Sequence, residues 1–254
     1  QVASAGYYRL FEYDGTLSGS FATTAATSTA PGFTVASHQV QTGIASQVNL
    51  SVLGAGQTMH FWDGADTTGN GTVNGGTGTW TSGGTNWTGA PGRANINGSF
   101  GGSVGVFVGA TGGTVNVVGT QGFDTLQFSA TNDGSGYTIN GGVLSFNPAS
   151  GTSATINVGN GVATTIGSVL QNGATGTGLN KVGSGTLTLT GMNTYTGATS
   201  IAAGGTLALS GQGRINASSG LTADGTFDVS AAASAQVKSL AGSGQVVLGS
   251  KTLI

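Results

Sequence analysis

Apolar and polar positions alternate along this chain in short bursts, each introduced by a glycine turn, and the bursts recur at a near-constant interval. They read Gly112-Gly-Thr-Val-Asn-Val117, Gly141-Gly-Val-Leu-Ser-Phe146, Ser184-Gly-Thr-Leu-Thr-Leu189, Gly204-Gly-Thr-Leu-Ala-Leu209, Asp224-Gly-Thr-Phe-Asp-Val229 and Ser243-Gly-Gln-Val-Val-Leu248. The matching apolar positions Leu187, Leu207, Phe227 and Val246 lie 20, 20 and 19 residues apart. Alternation with period 2 predicts strands, and repetition at this interval predicts units that add to one another as a solenoid does.

A second strand precedes each of these. Ile201, Leu221 and Leu240 stand six residues before Leu207, Phe227 and Val246. One unit is therefore a strand, a Gly corner, a second strand and a longer return. If each unit is one coil, like positions stack at about 4.8 Å and every strand pairs with those above and below. Leu187, Leu207 and Phe227 then form an inward ladder, with Thr188, Ala208 and Asp228 outside. Glycine at the corners supplies the left-handed backbone that tight bends need.

Upstream the pattern loosens. Residues 126–254 are expected to be coils, including degenerate ones over 138–172 (Tyr137–Ile139, Thr155–Val158, Ile166–Leu170). Residues 59–125 hold all three tryptophans, Trp62, Trp80 and Trp87, among Asp-Gly and Asn-Gly turn signals, and are expected to form hairpins that interrupt or cap the stack. Strands are expected there at Val104–Val108, Thr114–Val118 and Thr125–Phe128. Residues 1–58 carry strands at Tyr7–Tyr13, Thr34–Val40 and Gln47–Leu53, expected to end a preceding run of coils. The low-complexity stretch Ala22–Ala30 between them is expected to be a surface loop.

Composition narrows the classes. Glycine supplies 50 of 254 residues, yet with three prolines and no Gly-X-Y register collagen is excluded. Glycine and β-branched residues disfavour helix throughout, and the regular apolar alternation argues against disorder. The chain is expected to be ordered and almost wholly β. Charged residues make up only 6%, with a formal net charge of −2, so nothing electrostatic recommends nucleic acid or an anionic membrane as partner. No cysteine is present, which argues against a disulfide-stapled module. The sequence starts at Gln1 without a signal peptide, and it is read as a fragment or processed piece.

The segment from Gly178 to Ser210 closely resembles the passenger-associated transport repeat of bacterial autotransporters. The matching positions are Lys181, Gly185-Thr-Leu187, Gly191, Asn193-Thr-Tyr-Thr-Gly197 and Gly205-Thr-Leu207. Phe61-Trp-Asp-Gly64, Gly78-Thr-Trp80 and Asn86-Trp-Thr88 are similar to segments of large passengers. The likeness is looser over 59–177, and over 211–254 only the coil spacing persists. The resemblance implies an all-β, right-handed parallel β-helix exported through the outer membrane by type V secretion, at the bacterial cell surface or released from it. It also implies a C-terminal translocator barrel in the parent protein. Within the repeat it implies structural roles for Lys181, Gly185, Leu187, Gly191, Asn193, Tyr195, Gly197, Gly205 and Leu207. Lys181 is expected to lay its stem along the coil with its amine in water. Asn193 is expected to bond neighbouring turn backbone, and Tyr195 to pack into the return segment.

Candidate chemistry is sparse. Asp63, Asp133 and Asp224 adjoin glycines and fit turns held by the Asp side chain. Asp63, Asp66 and Asn70 could offer oxygens to calcium, but neither the EF-hand loop nor the Gly-Gly-x-Gly-x-Asp pattern is present, and no metal or cofactor is expected. Asp224 and Asp228 are the only acidic pair in the regular coils, too few for a lyase or glycosidase groove. His38 and His60 lack a nucleophile motif. For Trp62, Trp80 and Trp87 two readings stand. They pack together over an end of the stack, or they form an exposed glycan platform with Asp63, Asn86 and Arg93. The expected function is a non-enzymatic passenger segment that supports vectorial folding and presents an adhesive surface. Its partner would be a host surface receptor, extracellular matrix, a glycan or another copy. The alternatives are a carbohydrate-active β-helix enzyme and a carbohydrate-binding module.

Overall fold

The computed structural model describes residues 4–19, 34–42, 46–70, 72–89, 95–96, 100 and 103–254, and their regular structure is all β. The stretch Ala22–Ala30 and Arg93 lie outside the described residues.

Two parallel sheets form the body. The first runs from Met59–Trp62 through Val104–Phe107, Thr125–Phe128, Ser153–Val158, Gly178–Val182, Thr199–Ile201 and Leu221–Ala223 to Leu240–Ala241. The second runs from Gly78–Trp80 through Gly113–Phe123, Tyr137–Phe146, Ala163–Ile166, Thr186–Leu189, Thr206–Gly211 and Thr226–Ala232 to Gln245–Val247. The chain visits the two sheets in turn, so each visit to both completes a coil of a parallel β-solenoid.

The register is the one that the spacing predicts. Leu187 aligns with Leu207, Leu207 with Phe227 and Phe227 with Val246. A second inward column joins Val115, Ile139, Ile166, Leu189 and Leu209. Across the coil, the first sheet contributes Leu126, Ile156, Lys181, Ile201 and Ala223 to one column. The apolar members are buried in one continuous core, except Val246 at the last coil, which is half-buried and packs against it. Outward positions such as Thr165, Thr188 and Asp228 are half-buried.

The corners hold the coils close. A Cβ on Gly225 would lie 2.3 Å from the Gly205 carbonyl oxygen, and one on Gly205 would lie 2.5 Å from that of Gly183. Nothing larger than glycine fits where one backbone crosses directly over another.

Two parts differ from the sequence reading. Parallel stacking already begins at Met59, which pairs with Val104, while Gly78–Trp80 pairs with Gly113–Phe123. Among the described residues of 59–125, antiparallel pairing is confined to Met59–Trp62 with Trp87–Thr88 and Trp87–Thr88 with Asn95–Ile96. Residues expected to end preceding coils instead form a separate antiparallel sheet, in the order Gly6–Glu12, Gln47–Leu53, Ser37–Gln41. Both architectures use strands with period 2, so alternation alone did not separate them.

This N-terminal sheet lies against the outside of the first coils. Ala5 and Tyr7 pack with Met59, Phe61, Val73, Val104, Val106 and Val108, a cluster distinct from the coil interior. The Tyr7 and Phe61 rings meet edge to face at 4.9 Å. The Gln127 side chain behaves like a strand backbone, accepting the Tyr7 N–H at 2.6 Å and donating to the Tyr7 carbonyl. Val104–Phe107 is therefore covered on both faces.

Candidate functional site

Alternation through Leu179, Asn180 and Lys181 fixes the centre of the repeat. Asn180 points out, where Ser200 Oγ donates to its Oδ1 at 2.8 Å. Lys181 therefore points in, stacked between Ile156 and Ile201. It is fully buried, so its amine does not reach water as expected. Nζ instead donates to the carbonyls of Val182 at 2.9 Å and Gly183 at 2.8 Å, tying down the corner that follows its own strand. Among the described residues no carboxylate pairs with it.

Burial pulls the Lys181 amine down from the usual lysine range to about 8. The unfolded chain keeps its lysine proton up to about 10.4, so between these values unfolding takes up a proton and stability rises with pH. Burial holds the Tyr137 and Tyr195 phenols above the ordinary tyrosine value, so the folded state keeps protons that the unfolded chain loses above about pH 10, and stability falls there. Thermal melts should therefore peak between about pH 9 and 10, with the rise from pH 8 on the order of 2 kcal/mol. Lys181→Met should flatten the rise and leave the fall; a rise unchanged in that variant would refute the assignment to Lys181.

Asn193 links three coils. Its Oδ1 accepts from the Leu170 N–H at 2.9 Å and its Nδ2 donates to the Arg214 carbonyl at 3.1 Å. Asn193→Ala leaves the Leu170 amide without this partner in a dry interior, which should cost about 1–3 kcal/mol. Amide hydrogen exchange at Leu170 should accelerate accordingly, and unchanged protection would contradict the role. Tyr195 packs its ring 5.0 Å from Phe146. Its hydroxyl lies 2.8 Å from Thr199 Oγ1, which lies 3.0 Å from Ser218 Oγ, and Ser218 Oγ in turn donates to the Gly197 carbonyl at 2.8 Å. Thr199 and Ser218 had not been singled out. The signal for Thr199 was available, since it aligns with Leu179 and Leu221 on the inward side. Gly185 and Gly197, like Gly205, sit where a Cβ would meet backbone oxygen at 2.2 Å in both cases. A Cβ on Gly191 would meet the Gly167 and Ser168 oxygens at 2.8 Å.

The tryptophans are interior. Trp62, Trp80 and Trp87 are each at most 1% exposed, so no platform faces solvent and the glycan reading of these rings is corrected. Trp87 meets Trp62 at 5.2 Å and Trp80 at 5.0 Å, both edge to face, and Phe107 stacks on Phe128 at 4.7 Å. The Trp62 indole donates to the Gly76 carbonyl at 2.9 Å. Trp62, Trp80, Trp87, Phe100 and Phe107 belong to the same continuous core as the later coils. Asp63 is buried as well, and its Oδ1 accepts the Asn74 N–H at 2.6 Å.

The remaining candidates serve turns. Asp133 accepts from the Ser135 N–H at 3.0 Å and from Thr131 Oγ1 at 2.8 Å, and these bonds with the Ser135 hydroxyl hold its carboxyl below the ordinary range. Asp224 accepts from the Ser243 N–H at 3.1 Å, and Asp228 from that of Ser230 at 2.9 Å. Asp66 gathers Thr68, Asn70 and Asn74 around its carboxylate. Among the described residues no three His, Asp or Glu side chains converge on a metal-sized site. The half-buried His60 lies 3.3 Å from the Phe100 carbonyl, and burial lowers its pKa.

A stack of parallel coils, stitched by buried polar side chains of one repeat, defines a class. Residues 179–209 match the family model described as passenger-associated-transport-repeat, and the chain is an autotransporter passenger β-helix, part of the surface-exposed product of outer-membrane secretion. It is 39% identical over 215 residues to the protein named Adhesin BmaC autotransporter of Brucella suis biovar 1 (strain 1330). The match takes in 78% of this chain and 6% of that protein, so the chain spans a small fraction of its relative's length. No solved structure matches significantly.

Proposed function

We propose that this segment is a non-enzymatic part of an adhesive passenger. It would assist secretion by folding coil upon coil outside the cell, and present its flank to a host surface receptor, matrix or glycan. The observation that carries this reading is the parallel pairing of coil on coil that runs through both sheets from Met59 to Val247. In such an array each completed coil offers the next a full row of hydrogen-bonding groups and a shaped apolar column, so folding propagates from neighbour to neighbour. Asn193 ties that growth to one register, because it reaches Leu170 and Arg214 only when the coils on either side are seated, while Lys181 secures the corner within its own coil. The adhesin name of the relative supports the adhesive part. The test displays the full-length parent on cells and removes residues 178–210. Loss of display supports the folding role. Intact display with lost attachment supports recognition alone, and unchanged display and attachment would overturn the proposal.

A further inference from the structure

The N-terminal sheet does not close flush against the coils. Between them lies a cleft of about 340 Å³, continued by a second of about 360 Å³ that shares Arg9 and Gln47 with the first. From the geometry and lining we infer that this groove binds a neutral oligosaccharide. The inference deepens the adhesive reading and rests on it for surface access.

The floor is built from side-chain amides. Gln47, Asn49 and Gln127 line the first cleft and are all more than nine-tenths buried. Gln127 is fixed by both backbone groups of Tyr7 and by Ser129. Asn49 Nδ2 and Gln47 Oε1 meet only at 3.4 Å. A primary amide has two donors and two acceptor lone pairs, so the Gln47 amide, whose oxygen meets Asn49, keeps its donors for a guest that displaces water, while the Asn49 amide also meets the Tyr7 hydroxyl. Asn157, in register beside Gln127 on the next coil, and Asn160 add further amides, and Tyr8 lines the cleft with its hydroxyl anchored to the Ser4 carbonyl at 2.7 Å. Anchored aromatic surface beside convergent amides suits a ligand that is hydroxyl-rich on its edges and C–H-rich on its faces.

The charges argue for a neutral ligand. Arg9 at the rim is paired with Glu12, and the other ionisable carboxylate on the two clefts is Asp14. An anionic guest would find no free cation among these lining residues. A peptide would need apolar pockets or a free strand edge; among the described residues Val108 and Ala130 are the aliphatic side chains lining the first cleft, and the outer edge of Gly6–Glu12 is already occupied at Tyr7 by the Gln127 amide.

The test titrates the intact chain with neutral tri- to hexasaccharides of glucose, galactose and N-acetylglucosamine, with sialylated counterparts alongside, by calorimetry. The comparison variant is Asn157→Ala with Asn160→Ala, whose thermal melt must match the parent. The expected result is saturable binding of a neutral member that the double variant weakens by roughly tenfold or more, the equivalent of losing one or two hydrogen bonds. No saturable neutral binding, equal binding by the variant, or preference for sialylated members would each overturn the inference. Cell-surface display is scored separately. Lost display bears on the passenger proposal, whereas intact display without glycan binding removes only the groove.

Discussion

Replacing Leu207 with aspartate should unseat the C-terminal coils. Leu207 is fully buried and stands in register between Leu187 and Phe227, so the new carboxylate would face two apolar side chains in its column, while the buried Lys181 amine is already held by the Val182 and Gly183 carbonyls. An uncompensated charge in such a place costs about 3–5 kcal/mol, more than a single coil interface is expected to supply. Because a solenoid's stability is carried by neighbouring units, the loss should be local at first. Hydrogen exchange should accelerate in Thr186–Leu189, Thr206–Gly211 and Thr226–Ala232 while Val104–Phe107 stays protected. The outward control Thr188→Asp, two coils from Asp228 in the same column, should cost under about 1 kcal/mol. Equal damage from both variants would mean that the two positions do not lie on opposite faces.

The corner glycines should be nearly as intolerant, for a different reason. A Cβ on Gly225 would meet the Gly205 oxygen at 2.3 Å and the Ala202 oxygen at 2.4 Å, and both are backbone atoms that cannot rotate away. Gly225→Val should force adjacent coils apart and cost about 3 kcal/mol, the upper end of ordinary overpacking. Gly83→Val is the control, because nothing lies within 4 Å of a Cβ there and no left-handed backbone is required. Its melting temperature should be nearly that of the parent.

Much of this was legible because the two periods agree. The 20-residue spacing of Leu187, Leu207 and Phe227 gave the stack, and period 2 within each strand gave its inside and outside. Thr125–Phe128 and Gln47–Leu53 fall where the alternation placed them. Lys181 was misread although the same alternation put it beside Leu179 on the inward side. The chemical preference of lysine for water outweighed the geometric signal, and the Val182 and Gly183 carbonyls that receive its amine become visible only once the corner is folded. The N-terminal sheet was missed because a strand that pairs antiparallel has the same alternation as a coil strand. One local clue was present: Val104-Gly-Val-Phe-Val108 is apolar on both faces, the mark of a strand covered twice. For the tryptophans, composition could not separate a buried ring from a sugar platform. Their burial follows from the parallel seating of Met59–Trp62 and Gly78–Trp80 on the next coil. The groove amides are drawn from distant segments and had no pattern to announce them.

The central claim is that successive coils stack in parallel register, and a spin-label ruler tests it most directly. Thr114, Thr138, Thr165, Thr188, Ala208 and Asp228 align in one outward column. With no native cysteine to remove, labels can be placed at Thr138 and Asp228, or at Thr114 and Asp228. Pulsed dipolar spectroscopy should give backbone separations of about 19 Å and about 24 Å, four and five coil steps of about 4.8 Å each. Distances that fail to lengthen by one step between the two pairs would contradict the stack.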